Sequence, residues 1–138
     1  MVTVEYQHNL NYRQMQAGSF PALVLSVAHQ HNLDLSFDTD AYLDSGAERS
    51  LFDGALLSGL EIDLLNDKAM SYVATTGASV TAYLHNVRIT IPDIGTFNLE
   101  MGFSDVHLSR NLLGRDFFNL VQIGFRENWR QYYLTFSP

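Results

Sequence analysis

Two short segments of the chain contain residues whose types and spacing could do chemistry. The first is Ala41-Tyr-Leu-Asp-Ser-Gly-Ala47, where an apolar stretch leads into Asp44 and Gly46 gives the backbone a place to turn sharply. The second, later in the chain, is Asn111-Leu-Leu-Gly-Arg-Asp-Phe-Phe118. A carboxylate can take a proton from water, so Asp44 is a candidate general base. Taken alone, Asp-Ser-Gly is equally typical of an Asx-type turn that only reverses the chain.

The elements before Asp44 are predicted to be strands. Val2 to Tyr6 alternates apolar and polar residues, and Pro21 to Ala28 is rich in leucine and β-branched residues. Leu33 to Phe37 alternates again, and Ala41 to Leu43 leads directly into the acid. Asp44 is therefore expected at the end of a strand.

The middle of the chain predicts a mixed region followed by a long hairpin. Residues 51–57 fit one or two helical turns ended by Gly59, and Leu60 to Leu64 alternates as a strand. Met70 to Ala74 and Val80 to Ile91 are predicted to pair as the hairpin, with Gly77 at or near its turn.

The remainder is predicted to be mostly strand. Thr96 to Phe103 follows a turn at residues 92–95, and Asn111 to Leu120 has apolar residues at the spacing of a short helix. Val121 to Phe125 and Tyr132 to Phe136 close the chain as strands. Many short strands, one or two short helices and a long hairpin predict an all-β fold, built as a small closed or sandwiched β domain.

Composition limits the possible classes of function. With 138 residues, 46% of them hydrophobic and 17% charged, residues 1–138 are predicted to form a single globular domain. The net charge is -7 and the eight basic residues are scattered, so nucleic acid is not an expected partner. The absence of cysteine excludes disulfides and thiolate chemistry.

Targeting and metal signals are weak. No apolar stretch approaches the ~20 residues of a membrane-spanning helix, and the start of the chain lacks the pattern of a signal peptide, so cytoplasm is the default localisation. His29 and His31 could begin a metal site, but no third ligand follows at suitable spacing, and Asn32 and Asp34 favour a loop. We therefore expect no metal and no cofactor.

Together, the two segments resemble the two signatures of retropepsin-like aspartic proteases. In that family an apolar strand delivers an Asp-Thr/Ser-Gly-Ala loop, a flap hairpin follows, and an apolar-apolar-Gly-Arg-Asp/Asn segment begins a short helix behind the loop. All three parts occur here in that order, and the resemblance covers about residues 20–126. It implies a small barrel-like acid protease fold with a flap hairpin.

The resemblance also implies a homodimer that cleaves peptides. Hydrolysis of an amide without a metal or a nucleophilic side chain needs one carboxylate as base and one carboxylic acid as proton donor. The chain contains one Asp-Ser/Thr-Gly, because Asp53-Gly54 lacks the hydroxyl residue. The second acid is therefore expected to be Asp44 of another copy, related by a two-fold axis.

Further roles follow from the same resemblance. In the active-site loop of Ser45, Gly46 and Ala47, the Gly46 amide is expected to donate to Asp44, and Ser45 to tie the two loops of the dimer together. The flap tip, which would cover the substrate, is expected at residues 76–78, namely Thr76, Gly77 and Ala78. Glu48 and Arg115 are expected to form an ion pair beneath the loop; the alternative is that Arg115 only caps the helix and Glu48 is exposed.

The main alternative is a different class of function. A chain that has kept the fold but lost catalysis would serve as a dimerisation or peptide-binding module. The presence of Asp44 favours the enzyme, because a silent module does not need that acid.

Overall fold

A computed structural model of the chain describes residues 1–66, 69–73 and 79–136. Within these ranges the chain forms mainly β-strands, with one short α-helix and three short 3-10 helices, which confirms the predicted all-β fold. The strands are β1 (His8–Asn11), β2 (Arg13–Met15), β3 (Gly18–Phe20), β4 (Ala22–His29), β5 (Asn32–Leu43), β6 (Leu51–Asp53), β7 (Ala69–Val73), β8 (Ser79–Ile91), β9 (Gly95–Ser104), β10 (Leu112–Leu113), β11 (Val121–Arg126) and β12 (Gln131–Phe136). The α-helix is α1 (Arg115–Phe118), and the 3-10 helices are Gly54–Leu60, Leu64–Asn66 and Glu127–Trp129.

The largest sheet closes on itself. Its strand order is β4-β5-β10-β6-β9-β8-β7, and β4 pairs with β8 as well as with β5. Six of its strands therefore form a ring from which β7 projects, as expected for a barrel-like domain. Two of the pairings, β10 with β5 and β6 with β9, are parallel.

One hydrophobic cluster fills the space enclosed by the strands. Buried residues alternate with more exposed ones along several strands, as in β8, where Val87, Ile89 and Ile91 are buried while Thr90 is exposed. Phe117 of α1 is fully buried in the same cluster, so the short helix is fixed to the core by its own side chain. Across the described ranges no helix is long and apolar enough to cross a membrane.

The N-terminal prediction was wrong in position. Residues 1–6 have no regular secondary structure, and the first strand begins at His8. It pairs with β12, which lies between β1 and β11 in a three-stranded sheet. Alternation at Val2 to Tyr6 favours a strand only where a neighbouring strand is available, and within the described chain none pairs with this segment.

Two further boundaries differ from the predictions. Leu60 to Leu64 does not form a strand: the 3-10 helix runs through Gly59 and ends at Leu60, after which Glu61 adopts a left-handed φ of 55°. The predicted helix over Asn111 to Leu120 is shorter, because β10 occupies its first part and α1 begins at Arg115. The hairpin is present as β7 and β8, and its predicted turn at Gly77 lies outside the described residues.

Candidate active site

Asp44 follows the last residue of β5 and is held from both sides of that strand. The N–H of Leu43 donates to the carbonyl of Pro21 at 2.9 Å, and the N–H of Asp44 donates to the carbonyl of Leu113 at 2.9 Å. Leu43 and Leu113 are both buried, so the backbone beneath the acid is part of the core. Asp44 itself is half-buried, which leaves its carboxylate accessible from one side.

The loop after Asp44 turns back onto its own carboxylate. The N–H of Gly46 donates to Oδ1 of Asp44 at 2.8 Å, as predicted, and the N–H of Ala47 donates to the Asp44 carbonyl at 3.2 Å. A Cβ at Gly46 would lie 3.1 Å from the same Oδ1, so a larger residue would crowd this hydrogen bond. The geometry is that of an Asx-type turn that also fixes the orientation of the carboxylate.

The segment beginning at Gly114 supports this loop from behind. The N–H of Arg115 donates to the carbonyl of Ala47 at 2.8 Å. A Cβ at Gly114 would lie 2.6 Å from that carbonyl oxygen and 2.8 Å from the carbonyl carbon of Arg49. Both neighbours are backbone atoms, so only glycine allows the two segments to approach this closely.

Asp116 binds the end of the loop through Ser50. Oδ1 of Asp116 accepts the hydroxyl of Ser50 at 2.7 Å and its N–H at 2.9 Å, and Oδ2 lies 3.0 Å from the same N–H. The Ser50 hydroxyl oxygen in turn accepts the N–H of Gly114 at 3.0 Å. Ser50 is fully buried, so these bonds satisfy polar groups that water does not reach.

The Asn111 side chain also joins two strands near the site by hydrogen bonds. Its amide nitrogen donates to the hydroxyl of Thr39 at 3.1 Å and to the carbonyl of Asp40 at 3.2 Å, and its amide oxygen accepts the N–H of Asp53 at 2.9 Å. Asn111 therefore ties β5, which delivers the acid, to the end of β6.

The predicted ion pair between Glu48 and Arg115 is not formed. In the described part of the chain the ion pairs are Arg49 with Glu100, His107 with Asp53, and Arg130 with Glu127. Glu48 and Arg115 are both exposed. Arg115 contributes its backbone N–H to the loop, and the carboxylate that holds the loop is that of Asp116, so the prediction assigned the interaction to the wrong residues.

Of the other predicted site residues, Ser45 and Ala47 lie in the described part of the chain and the flap-tip residues do not. Ser45 is exposed beside Asp44, and its hydroxyl makes no hydrogen bond with any residue that the structure describes. Ala47 is half-buried at the point where the loop meets Arg115. The predicted flap-tip residues Thr76, Gly77 and Ala78 lie outside the described residues.

His29 is the last residue of β4 and His31 lies in the turn before β5. Asn32 and Asp34, which were expected to mark a loop, already belong to β5. The N–H of His31 donates to Nδ1 of His29 at 3.0 Å. Among residues 1–66, 69–73 and 79–136 there is no group of three or more potential ligands that could hold a metal ion.

Comparison with known proteins identifies the fold. No family model and no curated protein matches the sequence. Among solved structures, a retropepsin-like aspartic protease from Rickettsia conorii matches with a TM-score of 0.65 and 16% identity, over 96% of this chain and 97% of that one. The EIAV protease, solved in complex with the inhibitor HBY-793, matches with a TM-score of 0.55 and 18% identity, over 72% of this chain and 86% of that one.

The chain thus has the retropepsin-like fold, and the resemblance seen in its sequence is confirmed at the level of structure. The match with the Rickettsia protein extends over nearly the full length of both chains. At identities of 16% and 18%, these structural matches establish the fold alone, and a shared fold does not by itself establish a shared activity.

Three residues that hold the site had no assigned role in the sequence. Ser50 and Asp116 are 66 positions apart, and Asn111 bonds to residues 58 or more positions away. Asp116 and Asn111 both belong to the second signature segment, which was the available signal. Ser50 carried none, because a serine near a turn is usually exposed.

Proposed function

We propose that this chain is one subunit of a homodimeric aspartic endopeptidase, with residues 1–138 forming a single domain. The two copies of Asp44 would meet at a two-fold axis and act together on a bound peptide. The observation that carries the proposal is the Asp44 carboxylate itself. It is oriented by the Gly46 N–H at 2.8 Å, left open on one side, and mounted on a retropepsin-like fold.

The reaction needs one proton shared between two carboxylates. The ionised Asp44 takes a proton from water as the water oxygen bonds to the peptide carbonyl carbon. The protonated Asp44 of the second copy gives its proton to the carbonyl oxygen. As the C–N bond of the tetrahedral intermediate breaks, the departing nitrogen takes the proton from one Asp44, and a hydroxyl of the intermediate gives its proton to the other. The dyad then again holds one shared proton.

A dimer would also give Ser45 a partner. Its hydroxyl lies exposed beside the acid and has no partner among the described residues, which fits a hydrogen bond to the opposite loop. The β7–β8 hairpin would cover the peptide, with Thr76, Gly77 and Ala78 at its tip excluding water as mobile lids do.

Subunit mixing tests the proposal most directly. Wild-type chain is equilibrated with Asp44→Asn at constant total concentration, and hydrolysis of a denatured protein is measured as the wild-type fraction falls. If both copies of Asp44 are needed, activity follows the square of that fraction, so an equal mixture retains about one quarter of the activity. Asp93→Asn, at an acid in the turn between β8 and β9, is the matched control. Mixing it with wild type should leave the total activity unchanged.

Three results would contradict the proposal. A linear decline in the mixing experiment would mean that each copy works alone. Pure Asp44→Asn that hydrolyses as fast as wild type would show that Asp44 is only a turn residue. A folded wild-type chain without activity between about pH 3 and 8 would favour the silent binding module instead.

A further inference from the structure

A cleft lined by no residue of the Asp44 loop lies between the three-stranded sheet and the closed sheet. Its volume is about 350 Å³, and Asn9 and Asn11 of β1 and Val24 of β4 are among its lining residues. Leu23 and Tyr132, which also line it, are buried and give it an apolar floor. Its size is at the lower end of the range of ligand-binding pockets.

One wall of this cleft is a strand edge without a neighbour. Because the N–H of Leu43 donates to the carbonyl of Pro21, odd-numbered residues of β4 direct their backbone groups toward β5. Even-numbered residues therefore face the opposite side, where β8 pairs with β4 only from Ser26 onward. The first half of that edge, Ala22–Leu25, has no strand beside it in the described chain.

The even-numbered residues of Ala22–Leu25 are Ala22 and Val24, and of their two carbonyls only that of Ala22 accepts a hydrogen bond from a described residue. The carbonyl of Ala22 accepts the hydroxyl of Tyr132 at 3.1 Å. The N–H and carbonyl of Val24 face the cleft, and no described residue forms a hydrogen bond with them. Val24 is 43% exposed as a residue, and no strand of the described chain pairs with this part of the edge.

The opposite wall is also an open edge. The N–H of Tyr12 donates to the carbonyl of Arg130 at 2.8 Å, which directs the backbone groups of Tyr12 and Leu10 toward β12. The backbone groups of Asn9 and Asn11 consequently point away from β12, and both residues line the cleft. Two strand edges thus flank a groove with an apolar floor.

The charge at this groove is positive. Arg13 is the one charged residue that lines it, and no acid lies within ion-pair distance of Arg13 among the described residues. Burial raises the pKa of Tyr132 above its usual value, and the charge of Arg13 opposes that rise, so the guanidinium acts on the groove itself. A carboxylate is the natural partner of such a guanidinium.

We propose that this groove binds an extended peptide carrying a carboxylate, which adds as a strand along the Val24 edge and pairs its acid with Arg13. Strand addition would pair two open edges, one at the start of β4 in the seven-stranded sheet and one on β1 in the three-stranded sheet, and unpaired edges otherwise invite aggregation. The site is separate from the Asp44 loop and its occupation needs no hydrolysis.

The test uses the full chain with Asp44→Asn, so that no probe is cleaved. The probe is a capped heptapeptide of alternating valine and threonine with one central glutamate. We expect saturable binding with amide NMR shifts at Asn9, Asn11 and Val24, and slower hydrogen exchange of the Val24 amide. Arg13→Gln should weaken binding roughly two- to fivefold and Arg13→Glu more, while Arg88→Gln, on the β8 strand, should change it less than twofold.

Two probe controls separate the charge from the backbone contribution. Replacing the glutamate by lysine should weaken binding. Methylating alternate backbone nitrogens of the peptide should abolish it, because the peptide then has no N–H groups to donate to the carbonyl of Val24. The assignment is overturned if the shifts are confined to the Asp44 loop, if no binding occurs at millimolar peptide, or if Arg13→Glu binds as well as the parent. Shifts at the same residues that depend on protein concentration without peptide would assign the edge to a second copy and reject the peptide.

Discussion

Ser50 is bonded to Asp116 through both its backbone N–H and its hydroxyl, although the two residues are 66 positions apart. This contact joins the end of the Asp44 loop to the first turn of α1. The same carboxylate also accepts the N–H of Phe117 at 2.8 Å, so its position is fixed by the helix that it belongs to. The loop is therefore held from behind by one half-buried carboxylate rather than by a surface ion pair.

Asp116→Ala is expected to destabilise the chain by roughly 2–3 kcal/mol, because it removes the carboxylate that accepts hydrogen bonds from the N–H and the hydroxyl of buried Ser50. Asp116→Asn should cost less than Asp116→Ala, since the amide oxygen can replace Oδ1, which takes most of these bonds, while the amide NH2 would face the Ser50 N–H in place of Oδ2. Urea unfolding at a fixed chain concentration measures both. Asp105→Ala, at an exposed acid after β9, is the control and should change little. Equal stability of Asp116→Ala and wild type would show that the contact does not hold the loop.

Gly114→Ala should displace the Asp44 loop and destabilise the fold by about 1–3 kcal/mol, because its Cβ would lie 2.6 Å from the carbonyl oxygen of Ala47. Gly59→Ala is a matched control: the nearest atom to its Cβ is 3.9 Å away, on Phe37. Thermal and urea unfolding of the two variants should separate them clearly, and similar midpoints would mean that the close approach at Gly114 relaxes without cost.

Asp53 should contribute stability that is lost at acid pH. Burial alone raises the pKa of its carboxyl, but hydrogen bonds from the backbone N–H groups of Ala55 and Leu108 and from His107 outweigh it and hold the pKa below 3.8. Because the folded-state pKa is depressed, this stabilisation is present above the unfolded-state pKa and is lost as pH falls through the folded-state value.

Comparison of wild type with Asp53→Asn tests this. Their difference in urea midpoint should be constant near neutral pH and should shrink as pH falls below about 4. A difference that stays constant down to pH 2 would mean that the carboxylate does not supply this stability.

Much of the fold could be predicted from residue patterns because the core strands have regular apolar runs. β4, β5 and β9 lie where alternation or a leucine-rich run placed strands, since each buries one face against the same cluster. The predicted strand at Leu60 to Leu64 was wrong because these apolar residues reach the core without a strand. Leu60 is fully buried at the end of one 3-10 helix, Ile62 packs from irregular backbone, and Leu64 packs from the start of the next 3-10 helix. Period alone does not distinguish these cases.

Only the local part of the candidate site could be predicted from the sequence. Asp44 and its bond from Gly46 follow from local sequence, because the turn is formed by neighbouring residues. The support by Ser50 and Asp116 depends on two segments that meet only in the folded chain. The Glu48–Arg115 prediction failed for the same reason, since it relied on charge and family position without knowledge of which side chains face inward.

The pH dependence of hydrolysis should be bell-shaped, with its maximum on the acid side of neutrality. In the proposed dimer the reaction would need one ionised and one protonated Asp44, with one proton shared between the two carboxylates. A second proton taken up at low pH removes the base, and loss of the shared proton at higher pH removes the acid. The net charge of -7 on each chain makes the second ionisation harder, so raised salt should move the upper limb to lower pH.

The measurement is kcat/KM from about pH 3 to 8 at two ionic strengths, with circular dichroism at each pH to separate loss of catalysis from the acid destabilisation expected at Asp53. A rate that rises steadily into the alkaline range, or that requires added zinc, would assign the chemistry to a group other than Asp44.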